Sequence, residues 1–410
     1  MPNYLAPDVY VEEVSGGPRP IEAVGTSTAA LIGVAPDPAA RPGEILSFTN
    51  WSAFMRAYVP AGSVSTPLAQ AVYGYFQNGG RLCYVVNIGA GGSLQQALDR
   101  VAQKDDVAIV AAPGYTDAAS YDALLTHCES LGDRVAVLDA PKEVPDLDAL
   151  TSTGRGGKPV GAAQIDADSP RTAPVDASSG LRARQSDGGY GAYYFPWLLV
   201  RDPVNPDPDP SVLVAVPPSG HLAGIWARSD ASRGVHKAPA NESVRGALDL
   251  TTHLTRAEQE GLNMAGVNAI RFFSQEGVRV WGARTLAASG SEWRYLNVRR
   301  LFNMIKESIA ENTRWIVFEP NDETLWKSIR RDVGAFLLRL WRDGALMGRS
   351  PQEAFFVKCD AETNPPEVVD AGQVVTLIGI APVKPAEFIV FRLSQYQHQT
   401  TVEGAGGERA

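Results

Sequence analysis

The chain has 410 residues, 44% hydrophobic and 20% charged, with 37 Lys and Arg against 46 Asp and Glu and a formal charge of −9. That length sets a prior of two or three domains with real cores, and the acidic balance excludes nucleic acid as a direct partner, because neutralising phosphates needs a concentrated basic surface. Three scattered cysteines (Cys83, Cys128, Cys359) exclude a disulfide scaffold, and five histidines leave little material for a metal site.

The opening stretch, MPNYLAPDVYVEEV, has neither a basic n-region nor an apolar h-region. No signal peptide is therefore read, and synthesis in the cytoplasm is expected. Val9, Tyr10, Val11 and Val14 favour a strand, and Pro2, Pro7, Pro18 and Pro20 around them forbid a helix. Such a strand has no local hairpin partner, so it must pair at a distance or with another chain. Residues 26–34 (TSTAALIGV) read as a buried strand.

From residue 50 the pattern turns mixed. Helices are expected at 51–58, with Ser52 a possible cap, and at 67–78, with Pro67 in the first turn. Strands at 83–88, 107–112 and 135–138 alternate with helices at 94–102 and 121–131, which predicts a largely parallel α/β sheet. Residues 153–189, built mainly from Gly, Ala, Ser, Pro, Asp and Arg, read as a surface excursion. No apolar run reaches the roughly 18 residues of a membrane span, and the best candidate, 212–227, is broken by Pro217, Pro218 and His221. Strands are expected at 268–273 and 277–280. Val298, Leu301, Phe302, Ile305 and Ile309 mark one amphipathic helix, and Leu325, Ile329, Val333, Phe336, Leu337 and Leu340 a second. The second helix carries Lys327, Arg330, Arg331, Arg339 and Arg342 on its other face, a solvated surface or a docking face for an acidic partner. Strands at 373–380 and 387–396 flank Pro382 and Pro385, and a frayed tail follows.

No catalytic constellation emerges. Gly89-Ala90-Gly91-Gly92 follows a strand and precedes a helix, but a dinucleotide turn would need Gly where Leu94 stands. Gly156-Gly157-Lys158 lacks the earlier P-loop glycine, having Ser152, and has Pro159 in place of the metal-binding hydroxyl. Ser219 and His221 sit on what reads as a polar turn after a strand, without the elbow that presents a nucleophile. No cofactor, metal or catalytic residue is assigned. The competing reading is an α/β enzyme holding a nucleotide-like ligand near Gly89–Gly92.

The segments APDVYVEEVSGGPRPIEAVGTSTAALIGVAP, VPPSGHLAGIWARSDASRGVHKAPANE, GVNAIRFF, GVRVWGARTL, EWRYLNVRRLFNMIKESI, WIVFEPNDETLW, AFFVKCD and DAGQVVTLIGIAPVKPAEFIVFRL together resemble the tail sheath proteins of contractile phage tails and related contractile injection systems. The match covers residues 1–36 and about 190–397; residues 37–150 resemble the family's variable inserted domain more loosely, and 153–189 match nothing. The resemblance implies an α+β or α/β protein of two domains. Its discontinuous core comes from the N-terminal arm (1–24) and the C-terminal half (201–397), with an inserted α/β domain at 25–200 and a disordered tail at 398–410. It implies donation of Val9, Tyr10, Val11 and Val14, and of Phe388, Ile389, Val390, Phe391 and Leu393, to sheets of neighbouring subunits, with hinges at Gly16, Gly17, Pro18, Pro382 and Pro385. A structural, non-enzymatic role follows: a helical homopolymer of stacked six-subunit rings around an inner tube, contracting to release stored conformational energy. Implied partners are further copies, the tube protein (contacted through Lys327, Arg330, Arg331 and Arg339), the baseplate and a terminator or cap, with no nucleic acid and no direct membrane insertion.

Overall fold

The computed structural model describes residues 20–154 and 180–388. β1 (Ala29–Gly33) is buried along its whole length. After β2 (Ile45–Phe48), α1 (Trp51–Tyr58) is capped by Asn50, whose Oδ1 accepts from the Ala53 amide at 2.9 Å; the cap is therefore two residues earlier than Ser52. α2 (Pro67–Gln77) starts on Pro67 behind the Thr66 cap. β3 (Cys83–Asn87), α3 (Leu94–Val101), β4 (Ile109–Ala111), α4 (Ala118–Leu131) and β5 (Val135–Asp139) realise the predicted alternation. Then come β6 (Gly191–Phe195), β7 (Leu198–Val200), β8 (Val214–Val216), α5 (Ser219–Arg233), β9 (Glu242–Ser243), β10 (Ala247–Leu250), α6 (Arg256–Met264), β11 (Val267–Phe273) and β12 (Gly277–Val280). The remainder is mostly helical: α7 (Leu296–Asn312), α8 (Glu323–Arg342), α9 (Pro351–Ala354), β13 (Phe355–Lys358), α10 (Pro366–Asp370) and β14 (Leu377–Ile380).

One nine-stranded sheet, ordered β2-β3-β1-β4-β5-β6-β11-β12-β9, organises the first part. Its interior from β3 to β11 is parallel, and β2, β12 and β9 add antiparallel edges. Successive side chains point to opposite faces. Ala29, Leu31, Val85, Val137 and Tyr194 enter a core shared with α1, α2 and α5, while Ala30, Ile32, Val86, Leu138 and Tyr193 enter one shared with α3, α4 and α6. Burial on both faces explains why these strands read as continuous apolar runs. The division expected at residue 200 falls inside this sheet, because β6, before it, pairs with β11, beyond it. A small sheet, β10-β7-β8, lies alongside.

Helix α5 occupies part of the stretch read as a polar turn. It is buried on nearly every side, so no amphipathic stripe betrays it. It crosses α2 at backbone distance: a Cβ on Gly220 would lie 2.3 Å from Ala71 Cα. A third core belongs to α7 and α8. It holds Leu301, Ile305, Leu325, Ile329, Val333, Phe336 and Leu337, the stripes the sequence predicts, together with Ile21 from the N-terminal side.

Two expected boundaries move. The excursion at 153–189 is narrower in the described residues, since Thr153 bridges Arg182, Ala183 is buried, and Arg184 pairs with Glu129 and Asp122. The strand at 373–380 begins only at Leu377. Among the described residues no helix is long and apolar enough to cross a membrane.

Candidate functional site

The β13–β14 pair is antiparallel, with Phe355 opposite Ile380 and Lys358 opposite Leu377. Among the described residues no third strand joins it. Phe356 and Leu377 are 58% and 52% exposed, so the pair combines unextended backbone edges with uncovered apolar side chains. Open edges of this kind are a pairing liability in a monomer and the attachment point in β-augmented assemblies.

The predicted donors Val9, Tyr10, Val11, Val14, Ile389, Val390, Phe391 and Leu393, and the hinge residues Gly16, Gly17 and Pro18, lie outside the described residues. Phe388 is described, highly exposed and not in a strand. The points where both arms join the body are described, and both are tied down. On the N-terminal side Ile21 is buried, and its carbonyl accepts from the Arg339 guanidinium. The Glu22 carbonyl accepts from Asn312 Nδ2 at 3.1 Å, and the Val24 amide donates to Ser308 Oγ at 3.0 Å. Thr26 Oγ1 donates to Asp230 at 2.6 Å, and Arg300 holds both that carboxylate, at 2.9 and 2.6 Å, and the Thr26 carbonyl, at 2.9 Å. Sequence reasoning missed Ser308, Asn312, Asp230 and Arg300. Single polar residues on helices read as solvated until packing brings a backbone to them. The i, i+4 spacing of Ser308 and Asn312, which places both on one face, is the one signal available.

On the C-terminal side, Met347 N donates to the Ala381 carbonyl at 2.7 Å, Leu346 bridges Pro382, and Val383 O accepts from Asn297 Nδ2 at 3.0 Å. Pro382, one of the expected hinge positions, lies among these bonds in this structure.

The basic face of α8 is partly spent within the molecule. Lys327 pairs with Glu323 at 2.9 Å and Arg331 with the buried Asp332 at 2.8 Å. Arg339 serves Ile21, while half-buried Arg330 lies within electrostatic reach of Glu323.

The competing sites dissolve into structural roles. The turn at Gly89–Gly92 borders an open depression lined also by Asp37, Pro38, Ala39 and Pro42, whose single charge is an acid, the wrong sign for phosphate. Asn87 organises it, accepting from the Ala35 and Gly89 amides at 3.0 Å each and donating to the Ala40 carbonyl at 2.8 Å. A Cβ on Gly92 would fall 1.8 Å from the Ile88 carbonyl oxygen, so tight backbone closure accounts for that glycine. Ser219 donates to buried Asp139 through Oγ and N, both at 2.7 Å, which ties the start of α5 to the end of β5. Burial pushes the Cys83 and Cys128 thiols up, away from reactivity. Among the described residues no cluster of three or more His, Cys, Asp or Glu side chains is placed to hold a metal.

Two phage tail sheath domain families match the chain: the phage tail sheath protein central domain over residues 90–286 and the phage tail sheath C-terminal domain over residues 288–395. The tail sheath protein of Vibrio phage KVP40 is 30% identical over 177 residues, 42% of this chain and 26% of that protein. The tail sheath protein of Salmonella phage ViI is 28% identical over 272 residues, 65% of this chain and 40% of that protein. The chain spans less than half the length of the curated relatives it matches. Among solved structures, the PVC extracellular contractile injection system sheath complex in its contracted state superposes with a TM-score of 0.73 at 29% identity, over 97% of this chain and 99% of that one.

Proposed function

The chain belongs to the tail sheath protein family of phages and contractile injection systems, and from that premise we propose that it is the structural subunit of a contractile sheath. Copies polymerise as a helical tube of stacked rings around an inner tube. Contraction then releases conformational energy stored at assembly, with no reaction catalysed by the sheath itself. The observation that carries this reading is the superposition on a contracted sheath subunit over nearly the whole of both chains.

Strand donation supplies the cohesion. The arms at 1–14 and 388–393 add to the β13–β14 pair of neighbouring subunits, joined by main-chain hydrogen bonds. The core that receives them is discontinuous: Ile21 packing among α7 and α8 supports an N-terminal contribution to a C-terminal domain. Contact between unlike surfaces that does not close a ring propagates as a helix. The basic face of α8 meets the tube, and the baseplate and a cap bound the two ends. The subunit is made in the cytoplasm and becomes part of a particle.

Negative-stain microscopy of the purified chain tests this. Hollow tubes of uniform width are expected from the full chain, and a folded, soluble monomer without tubes from a variant lacking residues 1–14. Long tubes from that deletion would contradict strand donation.

A further inference from the structure

The last described residues run back from the helical part to the sheet. Glu387 meets Arg284, just beyond β12, in a bidentate pair: Nε donates to Oε1 at 2.8 Å and Nη2 to Oε2 at 2.7 Å. Tyr295 adds its hydroxyl to Oε2 at 3.3 Å. Arg284 is buried and already fixed before Glu387 arrives. Asn268 in β11 accepts from its amide at 2.7 Å and donates to its carbonyl at 2.8 Å, and Arg284 Nη1 donates to the Asn263 carbonyl at 2.5 Å. The guanidinium is therefore a preorganised fork aimed at one carboxylate. A buried arginine left without that carboxylate would be strongly disfavoured.

We propose that Arg284 is a positioning residue for the C-terminal arm. By holding Glu387 on the sheet part, it makes the arm leave every subunit at residue 388, in one direction. Together with the Leu346–Pro382 bridge and the Asn297–Val383 bond, it turns 381–387 into a fixed strap. A fixed departure point matters to a polymer because an angular error at each donated strand accumulates along the helix. This inference rests on the strand-donation reading above and deepens it.

The test uses the full chain with Glu387→Gln and Glu387→Ala, and Lys384→Gln as a control for loss of an exposed charge in the same strap. Hydrogen exchange of the strap amides of Ala381 and Val383, which donate to the Ala354 and Ala345 carbonyls at 2.9 and 3.3 Å, should quicken by at least about tenfold in both Glu387 variants in the unassembled protein, as expected for losing a charged hydrogen-bond pair. Tubes should become scarce or irregular in twist by electron microscopy. The Lys384 variant should match the wild type in both readouts. Unchanged exchange in the Glu387 variants overturns the clamp, and quickened exchange with tubes of wild-type yield and twist overturns its positioning role. A wild-type chain that forms no tubes would count against the strand-donation reading instead, with the clamp still decided by exchange.

Discussion

His221 stands at the crossing of α2 and α5, wholly buried, with Nδ1 lacking a hydrogen-bond partner and facing Gly74. Burial pulls its pKa down to about 4, and His127 is likewise pulled to about 4, by burial and then by Arg134. The unfolded chain takes up these protons near pH 6.5. Between there and about 4 the unfolded state binds more protons than the folded one, so stability is lost as pH falls. Asp139 opposes this. Burial raises it to about 6, so from there down to its unfolded value the folded state holds the extra proton and acid favours folding. Two histidines against one carboxyl leave a net loss. The denaturant midpoint should therefore drop from pH 7 to pH 5, and His221→Leu should reduce that drop whatever the variant's stability at pH 7. A pH dependence identical to wild type would show that His221 takes up its proton equally in the folded and unfolded states. The apolar neighbours of this position were legible in the sequence. Its burial was not, since a histidine after Pro217-Pro218 resembles a turn.

Helices were legible in proportion to their amphipathicity. α7 and α8 each bury one stripe and show it at three- and four-residue spacing. α5 buries nearly its whole circumference and shows none. Its fit against α2 depends on the missing side chain at Gly220, where a methyl group would strike the Ala71 backbone. Gly220→Ala should cost about 1–3 kcal/mol as an overpacked contact. Gly334 in α8 has open space around its would-be Cβ, so Gly334→Ala should instead stabilise by up to about 1 kcal/mol through helix propensity. Urea denaturation of the two variants separates the cases, and a neutral Gly220→Ala would refute the close crossing. The parallel strands were legible for a related reason: burial on both faces writes an uninterrupted apolar run.

For the whole molecule, the charge of −9 conceals a basic helix face, and the structure alters how that face is best tested. Arg331 accompanies buried Asp332, and Arg339 holds the Ile21 carbonyl, so reversing either would disturb folding. Lys327 and Arg330 serve better, Lys327 being engaged only by an exposed i, i+4 pair of small worth. The double variant Lys327→Glu with Arg330→Glu should keep wild-type unfolding while losing co-assembly with the inner tube protein. Co-assembly at wild-type yield would remove the tube contact from α8.

By itself the sequence determined the class of each strongly patterned element and the family resemblance, because these depend on local periodicity and on linear motifs. Only the tertiary structure decided that one sheet runs through the boundary expected at residue 200. Strand pairing between β5, β6 and β11 joins residues far apart in the chain, and nothing local encodes it. It likewise decided the fate of the prolines and polar residues near the arms. Pro382 looks like a joint in sequence and is bonded in space; Ser308 and Asn312 look solvated and hold the N-terminal segment; Arg284 and Glu387, 103 positions apart, meet only after the chain has folded back on itself.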